Sequence, residues 1–183
     1  MRKSVLGTAG TALGTACVTV LALGLATAPA TAAPPAGPTA TAQGPGWEPA
    51  PSAPWDVPAG ERCAFPVNGE PIVDEVVSRE LPPPAEDVTR TAYQGDLVIR
   101  VTNKETGAHY DADVSGTALV DVYASGAQFW RVLGPVLVGV GEGNLARGLY
   151  VVDGAYTIAI SPTGTKTVAG PAARTDSICA RID

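Results

Sequence analysis

Histidine occurs once in this chain, at His109, and lysine only at Lys3, Lys104 and Lys166. A serine hydrolase would have to build its triad on that one imidazole. No serine stands in the Gly-x-Ser-x-Gly elbow that marks such a nucleophile. Leucine is sparse beside valine, threonine, alanine and glycine, a balance that favours strands over helices. Past residue 28 no stretch is long and apolar enough to cross a membrane, which needs roughly 20 residues. Basic charge is scarce too: without Arg2 and Lys3, 10 basic residues face 18 acidic ones, a net charge of −8. Such a surface repels phosphate backbones, so nucleic acid is excluded as a partner class.

What is present begins with a three-part leader. Arg2 and Lys3 precede an uncharged stretch from Val5 to Ala28, most apolar at Val18 to Ala26, and Ala30-Thr31-Ala32 supplies a small-x-small cleavage pattern. This layout predicts a secretory signal peptide over residues 1–32, cut after Ala32, and hence a secreted, extracellular mature chain. Cys17 is read as apolar filler that leaves with the leader. Residues 33–61 are proline, alanine, glycine and threonine with almost no aliphatic side chains, which predicts an extended, disordered linker. Within it, Trp47 and Trp55 are read as one ring resting on the domain surface and one solvated; the competing reading is a docking motif for a protein or cell-wall partner.

Residues 62–183 make up one domain by size. Their period is two: Leu97, Ile99 and Val101 alternate with Val98, Arg100 and Thr102, and Tyr110, Ala112 and Val114 alternate with His109, Asp111 and Asp113. Asn103 to Gly107 reads as the turn of a hairpin between them. Further short strands are expected at Cys63–Val67, Ile72–Val77, Ala118–Val122, Gln128–Leu133, Pro135–Val140, Leu149–Val152, Ala155–Ile160, Lys166–Val168 and Ser177–Ile182. Asp153-Gly154 predicts a type I′ hairpin turn. No helical stripe appears. The fold class is all-β, a single antiparallel sandwich or small barrel. Cys63 and Cys179 stand at the entrance and exit of the domain, and an even cysteine count in an exported chain predicts a structural disulfide between them.

Each constellation that might carry chemistry meets a blander reading. His109, Asp111 and Asp113 share one strand face and are the only candidate metal ligands, but alternation alone places polar groups there. Asp111-x-Asp113-x-Ser115-Gly116 opens like a calcium loop, yet Val122 occupies the position of the closing glutamate. Gly139 to Gly143 lacks the lysine of a phosphate loop and carries Glu142. Trp130, Tyr123, Phe129 and Arg131 are the candidate ligand-binding side chains. Trp130, Tyr123 and Phe129 would line a barrel interior. Arg131 beside Phe129 and Trp130 would line a pocket for an anionic or ring-bearing ligand, against the preferred reading of a strand whose aromatic half packs in the core. Ala173-Arg174-Thr175 is an exposed loop of the kind that inhibits trypsin-like proteases. No cofactor is implied. The expectation is a non-catalytic domain for binding or surface interaction; the alternatives are a small-molecule-binding barrel and a hydrolase or isomerase using His109.

Taken in order, Cys63-Ala64-Phe65-Pro66-Val67, Val101-Thr102-Asn103-Lys104-Glu105-Thr106-Gly107, Ser115-Gly116, Gly134-Pro135, Asp153-Gly154 and Cys179 resemble small uncharacterised secreted proteins of high-GC Gram-positive bacteria. The resemblance implies export and a β fold. It implies no activity, substrate or site.

Overall fold

The computed structural model describes residues 46–183, all within one compact unit. The expected signal peptide, its cleavage site at Ala32, and linker residues 33–45 lie outside them. Fourteen strands follow in chain order: β1 (Glu48–Pro49), β2 (Trp55–Val57), β3 (Val67–Asp74), β4 (Val77–Leu81), β5 (Val88–Gln94), β6 (Leu97–Asn103), β7 (His109–Asp113), β8 (Thr117–Tyr123), β9 (Gln128–Leu133), β10 (Val136–Val140), β11 (Gly148–Asp153), β12 (Ala155–Ile160), β13 (Lys166–Ala169) and β14 (Arg174–Ser177), with one helical turn, α1 (Ile178–Arg181), at the end. Among the described residues they form three antiparallel sheets. A large sheet runs β1-β4-β5-β8-β9-β12-β13, a middle sheet β10-β11-β14, and a small sheet β2-β3-β6-β7. None closes on itself, so the barrel alternative is overturned, and with it an interior lined by Trp130, Tyr123 and Phe129.

The middle sheet explains why two segments read as almost unbroken apolar runs. In β10 and β11, Leu137, Leu149 and Val151 pack into a core shared with the small sheet, where Val67, Val101 and Ile178 are fully buried. Their neighbours Val138, Val140 and Val152 pack into a second core with Val132 and Ile158 of the large sheet. A strand covered on both faces has no solvent side to carry polar residues. Each fully buried aliphatic side chain contributes about 2 kcal/mol of apolar burial.

The hairpin of β6 and β7 forms in the expected register, with Val101 opposite Tyr110, and Gly107 sits at φ +77° in its turn. Asp153-Gly154 does something else. β11 and β12 do not pair; they belong to different sheets. The chain steps between layers roughly 10 Å apart at this point, with Gly154 at φ +110° and no room for a Cβ against the Ala172 carbonyl. Gly134, where the chain crosses from β9 of the large sheet to β10 of the middle one, donates its N–H to the Gly154 carbonyl at 2.9 Å. Turn chemistry marks both places correctly, but they are corners between sheets.

Several boundaries move. The strand expected over Cys63–Val67 begins only at Val67, as β3, Cys63 to Phe65 being a bent approach to it. The one expected over Ile72–Val77 is divided between the end of β3 and the start of β4. The last segment, expected as a strand over Ser177–Ile182, is a strand only to Ser177 and then α1, capped by the Ser177 hydroxyl. Ile178 and Ile182 are fully buried, four apart, while Ala180 is exposed; that spacing serves a helical turn. Cys179 on this turn bonds Cys63 across a sequence separation of 116, with Cα atoms 5.4 Å apart. Buried Asn103 ties the β6–β7 turn to the same end, donating to the Ile182 carbonyl at 2.9 Å and accepting from the Glu105 N–H.

The ordered domain also starts before the expected boundary at 61. Ala50 donates to the Val76 carbonyl, Ser52 to Asp74, and Asp56 pairs with Lys104 at 2.7 Å. Low apolar content did not matter here, because main-chain bonds at two sheet edges hold the segment. Both Trp47 and Trp55 are half-buried. Trp55 pairs with Gly69, whose missing side chain leaves room for the indole; a Cβ there would fall inside the ring. Gly69→Ala is therefore expected to cost about 1–3 kcal/mol by overpacking and to shift tryptophan emission to the red as Trp55 is displaced. An unchanged spectrum with unchanged stability would show that the ring does not rest there.

Candidate functional site

Along β9 the alternation sorts the expected ligand-binding residues onto opposite faces of the large sheet. Phe129 and Arg131 point outward with Tyr123 of β8, whereas Trp130 points inward, opposite Val120 on β8 and Ile158 on β12. The four do not converge on one site.

On the outer face, Asp121 stands at the position opposite Phe129 and is only 1% exposed. Arg90 of β5 holds it with two bonds, at 2.6 and 2.8 Å, and Arg131 adds a third at 2.9 Å. The hydrogen bonds from Arg90, opposed by desolvation and helped by Arg131, pull the Asp121 carboxyl down to about 2. Arg131 also lies over the Phe129 ring at 4.9 Å. Its cation is thus committed within the protein and does not wait for an anionic ligand. Beside this cluster lies a shallow, wide-open depression floored by Leu119, Leu133 and Thr157.

The inner face is different. Seven strands are far wider than three, so the middle sheet covers only part of the large one. The uncovered part holds a cleft of about 470 Å³ lined by Tyr93, Val120, Val122, Gln128, Trp130 and Val136. Trp130 also lines a smaller recess of about 200 Å³ with Leu137, Gly139, Ile160 and Lys166. Tyr93 likewise borders a polar recess of about 420 Å³ with Glu48, Ser78, Glu80 and Thr91. The three hollows share these two aromatic residues and form one row across the sheet. The Trp130 indole N–H donates to Gln128 Oε1 at 2.9 Å. Lys166, half-buried, donates to the Gly139 carbonyl at 2.6 Å, and burial, with Arg62 nearby, lowers its pKa.

The candidate metal face is dispersed in its contacts. His109, Asp111 and Asp113 are exposed on the edge strand β7. Asp111 is held bidentately by Arg100, which lowers its pKa, and Asp113 accepts the Ser115 N–H. Among the described residues no three His, Cys, Asp or Glu side chains gather as a metal site. The calcium-like segment is the end of β7 and the short connection into β8. Gly139 and Gly141 pack under the Arg62 side chain, and Gly143 bridges to Lys166. Arg174 and Thr175 are paired with Asp153 and Val152 inside the middle sheet, which overturns the inhibitory-loop reading. Tyr93, Gln128, Val136, Glu48 and Glu80 were not anticipated; the inward position of Trp130 in β9 was the available signal. Comparison of the chain with family models, curated proteins and solved structures finds no match.

Proposed function

We propose that this chain is an exported, non-catalytic binding domain whose ligand occupies the cleft between Tyr93 and Trp130. The observation that carries the reading is the uncovered, mostly apolar cleft on the inner face of the large sheet. The cleft lies within the roughly 300–1,000 Å³ usual for ligand sites, and its lining joins aromatic and valine side chains to a few polar groups such as Gln128 and Ser52. Export is supported by the basic start, the apolar stretch and the Ala-Thr-Ala pattern of the leader, and a Cys63–Cys179 bond suits an oxidising compartment. His109, exposed on an edge strand beside carboxylates that are already engaged, gives little support to a hydrolase.

The test uses a neutral aromatic fluorophore, N-phenyl-1-naphthylamine, and its energy transfer from tryptophan. Trp130→Ala is expected to weaken uptake about tenfold, the loss of one aromatic contact surface at roughly 1.4 kcal/mol. Phe129→Ala, one residue away on the opposite face, is expected to change nothing. Equal losses in the two variants, or in neither, would remove the cleft as the binding site.

A further inference from the structure

Among the described residues the three sheets expose six edge strands, and five of them carry a charged side chain: Glu48 in β1, Asp56 in β2, Asp111 in β7, Lys166 in β13, and Arg174 in β14. Charges on an edge are how sheets avoid pairing with foreign strands. The sixth edge, β10, reads Val136-Leu137-Val138-Gly139-Val140 and carries none. Among the described residues it pairs only with β11, and its other side borders the Trp130 cleft. Lys166 already donates to one of its carbonyls, that of Gly139.

The floor beside this edge has the right form for another strand. Val122, Gln128 and Ile160 occupy matched positions on three neighbouring strands of the large sheet, and all are at least partly exposed. One end of the row opens, past Tyr93, into the recess with Glu48 and Glu80. Neither carboxylate has an ion pair among the described residues, and the chain as a whole is acidic.

We propose that β10 accepts an extended segment of a partner polypeptide, added as a fourth strand of the middle sheet. Its alternate apolar side chains seat against Trp130 and Val122, and a basic residue at one end reaches Glu48 and Glu80. Main-chain hydrogen bonds to the edge supply affinity, and the pockets below select side chains. This rests on the reading that the Tyr93–Trp130 cleft is the binding site, and adds the mode and the partner's chemistry.

The test uses the chain from Ala33 onward and a nine-residue peptide, two lysines followed by alternating valine and threonine. Hydrogen exchange at residues 136–140 and tryptophan emission are read together. The expected result is slowed exchange across 136–140, abolished when proline replaces each threonine. Replacing the lysines by glutamates is expected to weaken binding roughly three- to tenfold, and the double variant Glu48→Gln, Glu80→Gln to erase that preference. A change in emission without protection at 136–140 overturns strand addition and leaves the cleft standing as a binding site. No response of either kind overturns the proposal, while the fluorophore experiment still decides the cleft. Protection at 136–140 that rises with protein concentration and needs no peptide would make the occupant a second copy, and also overturns it.

Discussion

Replacing Cys63 and Cys179 together by serine is expected to lower the unfolding free energy by about 4 kcal/mol. The bond spans a sequence separation of 116. Closing a loop of that length removes about 4.7 kcal/mol of denatured-state entropy in the chain-entropy model, and measured values tend to fall somewhat below it. The location adds to the effect. Cys63 is buried at the mouth of the core shared by the small and middle sheets, and Cys179 rides on α1, whose Ile178 and Ile182 are fully buried in that core. Urea unfolding of the wild type and the double serine variant checks this. The midpoint should fall and the slope should steepen, because the uncrosslinked denatured chain exposes more surface. A loss of less than about 1 kcal/mol would mean that packing of α1, and not the covalent link, holds the two ends.

Asp121→Ala is the second large effect, at about 2–3 kcal/mol. Breaking a buried ion pair typically costs 3–5 kcal/mol; here the two arginines left behind reach solvent, with side chains 22% and 46% exposed, so part of the penalty is relieved. The effect carries a pH signature. The folded-state carboxyl titrates near 2, below its ordinary 3.8. Between those values the unfolded chain binds more protons than the folded one, so the contribution is complete above about pH 4 and vanishes as the pH falls through about 2. The stability gap between wild type and Asp121→Asn should therefore hold steady down to about pH 4 and narrow from there to pH 2. A gap of constant size across that range would show that shape, not charge, makes Asp121 important.

Asp121 also shows what one sequence can and cannot disclose. Alternation in β8 correctly placed Ala118 and Val120 inward, which put Asp121 on the outer face, where a carboxylate is ordinarily solvated. Its burial depends on Arg90 and Arg131 arriving from the flanking strands, and that is a matter of register between distant segments. β5 itself escaped notice for a related reason. Of its inward residues, Thr89 and Thr91 lie on the open part of the inner face and only Tyr93 reaches the core, so no apolar face marks it as a strand. The cleft was hidden in the same way, since an uncovered surface arises from the mismatch in width between two sheets. Elements whose local pattern and burial agree, such as the β6–β7 hairpin, were legible from end to end. Where pattern and layer diverge, as at Asp153-Gly154, turn chemistry identified the residue and missed the sheet change.

The middle sheet has a bearing on how the chain reaches this state. β11 pairs with β10 on one side but cannot complete its pairing until β14 arrives, which follows it in the chain only after β12 and β13. Until then its second edge stands open. A chain that emerges amino end first would thus keep this edge open, and Cys63 without its partner sulfur, until β14 and α1 had followed.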